Sequence, residues 1–246
     1  MPFAGGADVT PESAGWRYVG FEVLRLEPGQ AVERDTGGTE QCLVVVSGSC
    51  RVGDWELGGR PTPFDGPPEA AYVPPRSSWR VEALSALELG VCRAPAERGA
   101  EARPLRRPEG QERGSGPTRR QVWNVLMENE AAEHLLVTEV VTPGGNWSSY
   151  PPHKHDTENP PEEAYLEETY YHRLARPEGF AVQRVYTDDG SLDETLAVHD
   201  GDIVLVPRGY HPVGAAAGYD LYYLNVMAGP NRRWLVNWKP EHAWLR

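Results

Sequence analysis

The stretch PPHKHDTENPPEEAYLEETYYHR, residues 151–173, and the later stretch GDIVLVPRGYH, residues 201–211, decide the fold. Both place β-branched or aromatic residues beside Pro and Gly, which is typical of short strands that end in turns. In a strand, His153 and His155 point to one face while Lys154 points to the other. We therefore predict a β-structure that presents two imidazoles on one face.

Short apolar runs separated by turns fill the rest of the chain as well. Runs such as GFEVLRL and QCLVVVSGSCRV alternate with EPGQ and GPPE, and TDDGS at 187–191 is a turn signal between two later runs. The 26 Gly and 23 Pro exceed what a helical protein would tolerate. We predict an all-β protein in which the run Val44, Val45, Val46 forms a strand buried on both faces.

Two halves of similar strand content suggest an internal duplication. Residues from about 97 to 118 carry charge, Pro and Gly without apolar periodicity, which favours a connection between domains. We place an N-terminal domain at residues 1–100, a linker at 101–119 and a C-terminal domain at 120–246.

The charge balance restricts the partners of this protein. A formal net charge of -12 argues against a nucleic-acid or anionic-membrane surface, because such partners require clustered Lys and Arg. No stretch approaches the ~18 apolar residues of a membrane span. The three cysteines, Cys42, Cys50 and Cys92, have no CxxC spacing, which favours a reducing cytoplasm over a disulfide framework.

His153, His155, Glu168 and His211 have the residue types of a divalent metal site. Glu168 begins the strand-like segment ETYYHR, and His211 follows the strand-like VLVPRG, so a carboxylate and a third imidazole join the HKH pair. Zinc, manganese and iron all accept three nitrogens and one oxygen, so the metal stays open. Glu167 is a less favoured rival for the carboxylate position.

The order HxH, then Glu, then Gly-x5-Pro-x-Gly-x-His at 201–211 resembles the two signature motifs of the cupin superfamily. That resemblance implies one metal held by His153, His155, Glu168 and His211. Two departures from the usual motifs stand out: TENPPEEAYLE lengthens the first, and only Tyr210 separates Gly209 from His211.

The strings SSYPPHKHD, LEETYYHR, GFAVQRVYTDDGSLDE, GDIVLVPRGYHP and YYLNVMAG resemble the 5-deoxy-glucuronate isomerases of inositol catabolism. This family is built as a bicupin, so the resemblance implies two jelly-roll β-barrels in tandem. The N-terminal half has no histidine before His134, and its barrel is expected to lack the metal site.

The resemblance implies a metal-dependent aldose-ketose isomerase that converts 5-deoxy-glucuronate to 5-keto-2-deoxy-gluconate in myo-inositol catabolism. The partner would be a small sugar acid. The tail tryptophans Trp234, Trp238 and Trp244 are expected to pack against the barrel or a neighbouring subunit, which leaves a homo-oligomer open.

Strand parity extends the predicted site. If Glu168 points inward, so do Tyr170 and His172, which become proton-transfer candidates beside Glu168. The alternative is that Tyr170 fills the core and His172 is simply packed.

We assign substrate contacts to Arg184 and Tyr186 on one strand, and to Tyr223 and Asn225 on another. Arg184 is the first choice for the substrate carboxylate, with an ion pair to an acidic neighbour as the alternative. Lys154 is expected to face away from the metal.

Two other functions fit the same ligand set. One is an iron dioxygenase that acts on a small organic acid, and the other is a bicupin that binds a sugar acid without turnover. Oxygen-dependent activity would favour the first, and a bound metal without turnover would favour the second.

Overall fold

The computed structural model describes residues 4, 5 and 8–245 of the 246-residue chain. These residues are mostly β-strand, as predicted. Their only α-helix is α1, Pro11–Ala14, and two 3-10 helices lie at Gly116–Thr118 and Pro240–Leu245. Within this described part, no helix is long and apolar enough to span a membrane.

The strands up to residue 142 are β1 Ala4–Gly5, β2 Gly20–Leu26, β3 Ala31–Asp35, β4 Thr39–Val52, β5 Trp55–Arg60, β6 Glu69–Val73, β7 Ser78–Ala83, β8 Leu87–Pro95, β9 Arg103–Arg106, β10 Gly110–Arg113, β11 Arg120–Leu126 and β12 Leu135–Thr142. The later strands are β13 Trp147–Ser148, β14 His153–Lys154, β15 Glu167–Leu174, β16 Ala181–Tyr186, β17 Asp193–Val198, β18 Ile203–Val206, β19 Val213–Ala215, β20 Leu221–Ala228 and β21 Asn237–Trp238.

The chain forms two compact units. Of the described residues, the N-terminal unit holds 8–110 and 123–139, and the C-terminal unit holds 4–5, 111–122 and 140–245. The segment 123–139 thus returns to the N-terminal unit, and the segment 101–119 contains the strands β9 and β10. The domain boundaries at residues 100 and 119 stay a prediction from the sequence.

The N-terminal unit is built around the long strand β4. Its first part lies in the antiparallel sheet β2-β8-β4-β6-β9. After a register shift at Gly48 and Ser49, its last part pairs with β5 and β7. Val44, Val45 and Val46 are all fully buried, which confirms the predicted doubly buried run.

The C-terminal unit packs two sheets around one core. Strands β18, β15 and β20 lie side by side in antiparallel order, and β13-β19-β16-β17 form a second sheet. Val204 and Leu221 of the first sheet share a buried cluster with Val185 and Val213 of the second. A separate pair, β14 with β21, joins His153 to Trp238 as strand partners.

The all-β prediction is confirmed, and its barrel geometry is only partly supported. A sheet closes into a barrel when its end strands pair with each other. The hydrogen-bonded sheets of the described residues are open at their ends.

Candidate metal centre

Three separate segments carry the four predicted ligands into the C-terminal unit. His153 begins β14, Glu168 is the second residue of β15, and His211 lies in the turn between β18 and β19. All four side chains are buried, and none exposes more than 7% of its surface. A buried cluster of three imidazoles and a carboxylate requires mutual pairing or a bound cation.

His155, Glu168 and His211 form the tightest part of the cluster. Their ligand atoms all lie within 4.8 Å of one another. Oε2 of Glu168 is 3.1 Å from Nε2 of His155 and 3.1 Å from Nε2 of His211. The ring centroid of His153 lies 5.0 Å from that of His211 and 6.3 Å from that of His155. The structure therefore brings the predicted quartet together, with His153 beside the compact trio.

Backbone carbonyls fix the tautomers of the histidines. Nδ1 of His155 lies 3.0 Å from the oxygen of Leu166, and Nδ1 of His211 lies 2.9 Å from that of Gly209. An Nδ1–H donor in these positions leaves the lone pair of Nε2 for a metal.

One buried atom of the trio has no hydrogen bond. Within the described residues, Nε2 of His211 lacks a hydrogen-bond partner, although it lies close to the Glu168 carboxylate. A buried nitrogen without a hydrogen bond is costly unless a cation accepts its lone pair. The donor set of this cluster fits a divalent metal.

Electrostatics keep the carboxylate ionised. Burial acts to raise the pKa of Glu168, but His211 and His155 outweigh it and lower that pKa to about 2. Burial lowers the pKa of His211, and burial together with the other two histidines lowers the pKa of His153 well below its usual value. Burial acts to lower the pKa of His155, but the charge of Glu168 outweighs it and raises that pKa. An ionised carboxylate beside two imidazoles that resist protonation favours a cation at this site.

The turn that carries His211 depends on Gly209. Its φ of +85° lies in the left-handed region, and a Cβ at this position would lie 2.3 Å from the backbone oxygen of Tyr186. Backbone hydrogen bonds of 2.9 and 2.8 Å between Tyr186 and Tyr210 hold the turn against β16. Glycine at position 209 therefore lets the chain approach closely enough to aim His211 inward.

Lys154 faces away from the cluster, as strand parity predicted. Its Nζ contacts Oδ1 of Asp156 at 2.6 Å and both carboxylate oxygens of Glu163 at 3.0 Å. Asp156 also accepts the backbone N–H of Gly209 at 2.8 Å. This network ties the HKH segment to the turn of His211.

Tyr170 and His172, the two residues of β15 that strand parity predicted to point inward, lie beside the cluster. Tyr170 and His172 stack with ring centroids 5.8 Å apart, and the ring of Tyr170 lies 6.0 Å from that of His211. Tyr223 on β20 contacts both, at 4.8 Å from Tyr170 and 5.9 Å from His172.

Two serines add hydroxyls to this aromatic group. Ser149 lies 2.9 Å from the hydroxyl of Tyr170, and Ser148 lies 2.5 Å from that of Tyr223. Burial raises the pKa of Tyr170 well above its usual value and also raises that of Tyr223. Four hydroxyl groups thus adjoin the cluster, and sequence reasoning identified only the two tyrosines.

His172 is paired with a glutamine of the facing sheet. Its Nε2 lies 3.0 Å from Oε1 of Gln183, which accepts a hydrogen bond from the imidazole N–H. Within the described residues, Nδ1 of His172 and Nε2 of Gln183 have no hydrogen-bond partner. Burial lowers the pKa of His172 to about 4, so the imidazole is neutral near pH 7.

Asn225 contacts a ligand of the cluster. Its Nδ2 donates to Oε1 of Glu168 at 2.5 Å, on the side of the carboxylate opposite the histidines. Glu167, the rival carboxylate, accepts from the hydroxyl of Tyr165 at 3.4 Å.

Arg184 and Tyr186 do not join the cluster. Arg184 is exposed and pairs with Asp193 through two contacts of 2.7 and 2.8 Å, which is the alternative that the sequence left open. Its side chain lies 4.2 Å from the ring of Tyr186, which packs on Tyr210. Gln183 and Val185 occupy the inward face of β16, so Arg184 and Tyr186, to which the sequence assigned substrate contacts, lie on its other face.

Two tail tryptophans line the cluster. The ring of Trp238 lies 4.9 Å from that of His153, and the ring of Trp234 lies 6.0 Å from it. Both are half-buried, whereas 78% of Trp244 is exposed. Their concentration in the tail was visible in the sequence, but their proximity to His153 was not.

Comparison with known proteins places these features in a family. A model of the KduI/IolB family matches residues 4–245. The 5-deoxy-glucuronate isomerase of Geobacillus thermodenitrificans is 53% identical over 245 residues, which cover 96% of this chain and 89% of the relative. The protein of the same name from Bacillus subtilis strain 168 is 42% identical over 247 residues, with 97% and 91% covered.

Solved structures agree with this assignment. An IolB-like protein from Salmonella typhimurium LT2 superimposes with a TM-score of 0.93 at 45% identity, covering 98% of this chain and 95% of that protein. Oxalate decarboxylase from Bacillus subtilis, a protein with Mn(II) centres, reaches a TM-score of 0.67 at 14% identity, covering 97% and 79%. That second likeness shows a shared cupin-like fold alone. With its family model, its relatives and its fold in agreement, the chain belongs to the KduI/IolB family.

Proposed function

We propose that this protein is a metal-dependent aldose-ketose isomerase that converts 5-deoxy-glucuronate to 5-keto-2-deoxy-gluconate in myo-inositol catabolism. The observation that carries the proposal is the 53% identity to a 5-deoxy-glucuronate isomerase over 96% of the chain. The buried cluster of three histidines and Glu168 supports it, because carbonyl isomerisation gains from a Lewis acid.

His153, His155, Glu168 and His211 would hold one divalent ion, zinc, manganese or iron. When bound, the ion would supply a positive charge that polarises a substrate carbonyl and the neighbouring hydroxyl. With Nδ1 donating to the oxygen of Leu166 or of Gly209, Nε2 of His155 and Nε2 of His211 would be the coordinating atoms, and binding of the ion would release any proton that Nε2 of His155 carries.

The reaction moves protons and leaves the overall oxidation level unchanged. A base takes the proton from the hydroxyl-bearing carbon next to the aldehyde, and the C–H electron pair becomes the C=C bond of an enediol as the aldehyde oxygen gains a proton. The former aldehyde carbon then takes up a proton, while the neighbouring hydroxyl loses one and becomes the ketone.

Tyr170 and His172 are the proposed proton-transfer residues beside Glu168. The hydroxyl of Tyr170 is held by Ser149, which orients it beside the histidine cluster. His172 is neutral, and its contact with Gln183 leaves Nδ1 as a proton acceptor. Tyr223 would contact substrate hydroxyls, and Asn225 would orient Glu168.

We extend the proposal to architecture and location. The two compact units would be cupin domains in tandem, jelly-roll barrels of a bicupin, with the metal in the C-terminal one; His134 is the only histidine of the N-terminal unit. Three buried cysteines without disulfides support action in the reducing cytoplasm. A homo-oligomer stays a prediction.

The proposal is tested by an anaerobic assay of purified, metal-replete protein on 5-deoxy-glucuronate, with product followed by NMR. We expect a ketose product that disappears on chelation and returns with added metal. His211→Ala should lack both activity and metal. Turnover only in the presence of oxygen would support the dioxygenase instead, and metal binding without turnover would support a sugar-acid-binding protein.

A further inference from the structure

The proposed substrate carries a carboxylate. We therefore expect a cationic side chain near the cluster of predicted metal ligands. The exposed Arg184 forms an ion pair with Asp193 and faces away from the ligand cluster. The segment 111–120, which also belongs to the C-terminal unit, holds three arginines. Arg119 is exposed and pairs with Glu112, which leaves Arg113 and Arg120 as candidates. The inference that follows rests on the proposed function.

Arg113 and Arg120 lie at the same end of one hairpin. Arg113 ends β10 and Arg120 begins the neighbouring strand β11. The connecting turn is tight: Gly114 has a φ of +75°, and a Cβ there would lie 2.2 Å from the oxygen of Thr118. Asn146 holds this turn by donating to the oxygen of Arg119 at 2.8 Å. The two guanidinium groups are therefore presented from a braced turn and not from a loose loop.

One tryptophan, Trp234, lies between Arg113 and the cluster of predicted metal ligands. The guanidinium carbon of Arg113 lies 5.8 Å from the ring centroid of Trp234. Another neighbour of that indole is His153, whose ring centroid is 6.0 Å away. A single aromatic ring thus separates a half-buried cation from a predicted metal ligand.

Arg120 lies near the serine and tyrosine hydroxyls that adjoin the ligand cluster. The 3-10 helix that precedes it packs on Trp147–Ser148, and Ser148 bonds the hydroxyl of Tyr223. Burial raises the pKa of Tyr223, while the Ser148 bond and the charge of Arg120 oppose that rise. The positive charge of Arg120 therefore acts on the buried hydroxyls.

The charge of Arg120 has no acidic partner in the part of the chain that the structure describes. Its NH1 donates to the backbone oxygen of Thr118 at 2.9 Å, and no carboxylate lies within ion-pair distance. Its charge also acts on Arg113, because burial together with Arg120 lowers the pKa of Arg113. Two half-buried cations that repel each other form a site for an anion.

We infer that Arg113 and Arg120 bind the carboxylate of the sugar acid, with Trp234 as a wall between that carboxylate and the metal ligands. A planar guanidinium pairs with a carboxylate through two parallel hydrogen bonds, so the pair would set both affinity and orientation. The carbonyl end of the same molecule would then point toward His153 and the remaining ligands.

The test compares a charged ligand with its neutral ester on each variant. Calorimetry on metal-loaded protein gives the Kd of D-glucuronate and of its methyl ester. We expect wild type to bind the acid roughly 10- to 100-fold more tightly than the ester, as charge-assisted hydrogen bonds allow. Arg120→Met and Arg113→Met should lose most of this preference while binding the ester as wild type does, and their metal affinity should be unchanged.

The matched control is Arg176→Met, which removes an exposed arginine of the same unit. It should keep the full preference for the acid. If Arg120→Met does not fold, Arg120→Lys takes its place, because lysine keeps the charge but cannot form two parallel hydrogen bonds with a carboxylate. Its preference for the acid over the ester should be weaker than that of wild type and Arg176→Met, but not absent.

Equal weakening of acid and ester in the variants would overturn the inference, as would a wild type without acid preference. Failure of the proposed function is a separate outcome: wild type would leave 5-deoxy-glucuronate unchanged, yet the acid preference and its loss in the arginine variants would stand.

Discussion

Asn225 donates a hydrogen bond to Oε1 of Glu168, and the other oxygen of the same carboxylate faces His155 and His211. The two residues lie on the neighbouring strands β20 and β15, where Asn225 is opposite Tyr170, two positions from Glu168. The register of the sheet therefore sets their contact. Asn225 thereby fixes which carboxylate oxygen is offered to a metal. The sequence predicted that Asn225 contacts substrate, whereas its side chain contacts a predicted metal ligand.

Asn225→Leu should weaken metal binding. Leucine keeps most of the volume but cannot donate to Glu168, so the carboxylate loses its orientation. We expect the metal Kd to rise about 10- to 100-fold, the usual cost of losing a hydrogen bond to a ligand. Competition with a chelating dye measures it, and a Kd equal to that of wild type would refute the orienting role.

Arg60→Met should destabilise the N-terminal unit strongly. Arg60 and Glu139 form a two-contact ion pair of 2.8 and 2.7 Å, with side chains only 5% and 0% exposed. Removal of the arginine leaves a buried carboxylate without its cation, which costs about 3–5 kcal/mol. Urea unfolding measures this loss.

The control for this change is the exposed pair of Arg184 and Asp193, where Arg184→Met should cost no more than about 1 kcal/mol. The double variant Arg60→Met/Glu139→Leu should regain most of the lost stability. A loss of equal size at both pairs would show that burial of Arg60 and Glu139 is not the cause.

Stability should fall in acid partly through Glu133. A backbone N–H bond from Gly99 leads the causes that lower its pKa from 4.5 to about 2, with further N–H bonds from Glu97 and Arg98. Because the folded pKa lies below the unfolded one, the contribution is complete above about pH 4.5 and is lost as the pH falls toward 2. Melting temperatures between pH 2 and 6 should show a shallower slope for Glu133→Gln. Identical slopes would contradict the assignment.

Gln183→Glu should raise the pKa of His172. In wild type, burial lowers this pKa to about 4 against the opposing bond from Gln183. A carboxylate at the same position would favour the imidazolium. NMR titration of the ring protons measures the shift, and Gln183→Leu, which removes the bond, should move the pKa further down. A rise in both variants would argue against the contact.

Local periodicity predicted the parts of the site that one strand decides. The two-residue period placed His153 and His155 on one side and Lys154 on the other, as the structure has them. The same rule turned Tyr170 and His172 toward the cluster from Glu168. These predictions needed no knowledge of neighbouring strands, because one anchoring residue fixes the parity of the whole strand.

Strand parity could not orient β16, because no such anchoring residue was available there. On β16 both Gln183 and Arg184 are polar, and the sequence could not show which of them His172 would meet across the core. Contacts between distant segments could not be predicted either: Arg113 contacts Trp234, which lies far along the chain from it. The return of 123–139 to the N-terminal unit also depends on tertiary packing.

The central claim is that one metal ion on three histidines and Glu168 drives the isomerisation. Titration of metal-free protein with zinc, manganese or iron, while ketose formation from 5-deoxy-glucuronate is followed by NMR, tests it most directly. We predict that activity rises linearly and reaches a plateau at one equivalent of the active metal per chain. Full activity in the metal-free protein, or no activity at any metal loading, would contradict the claim.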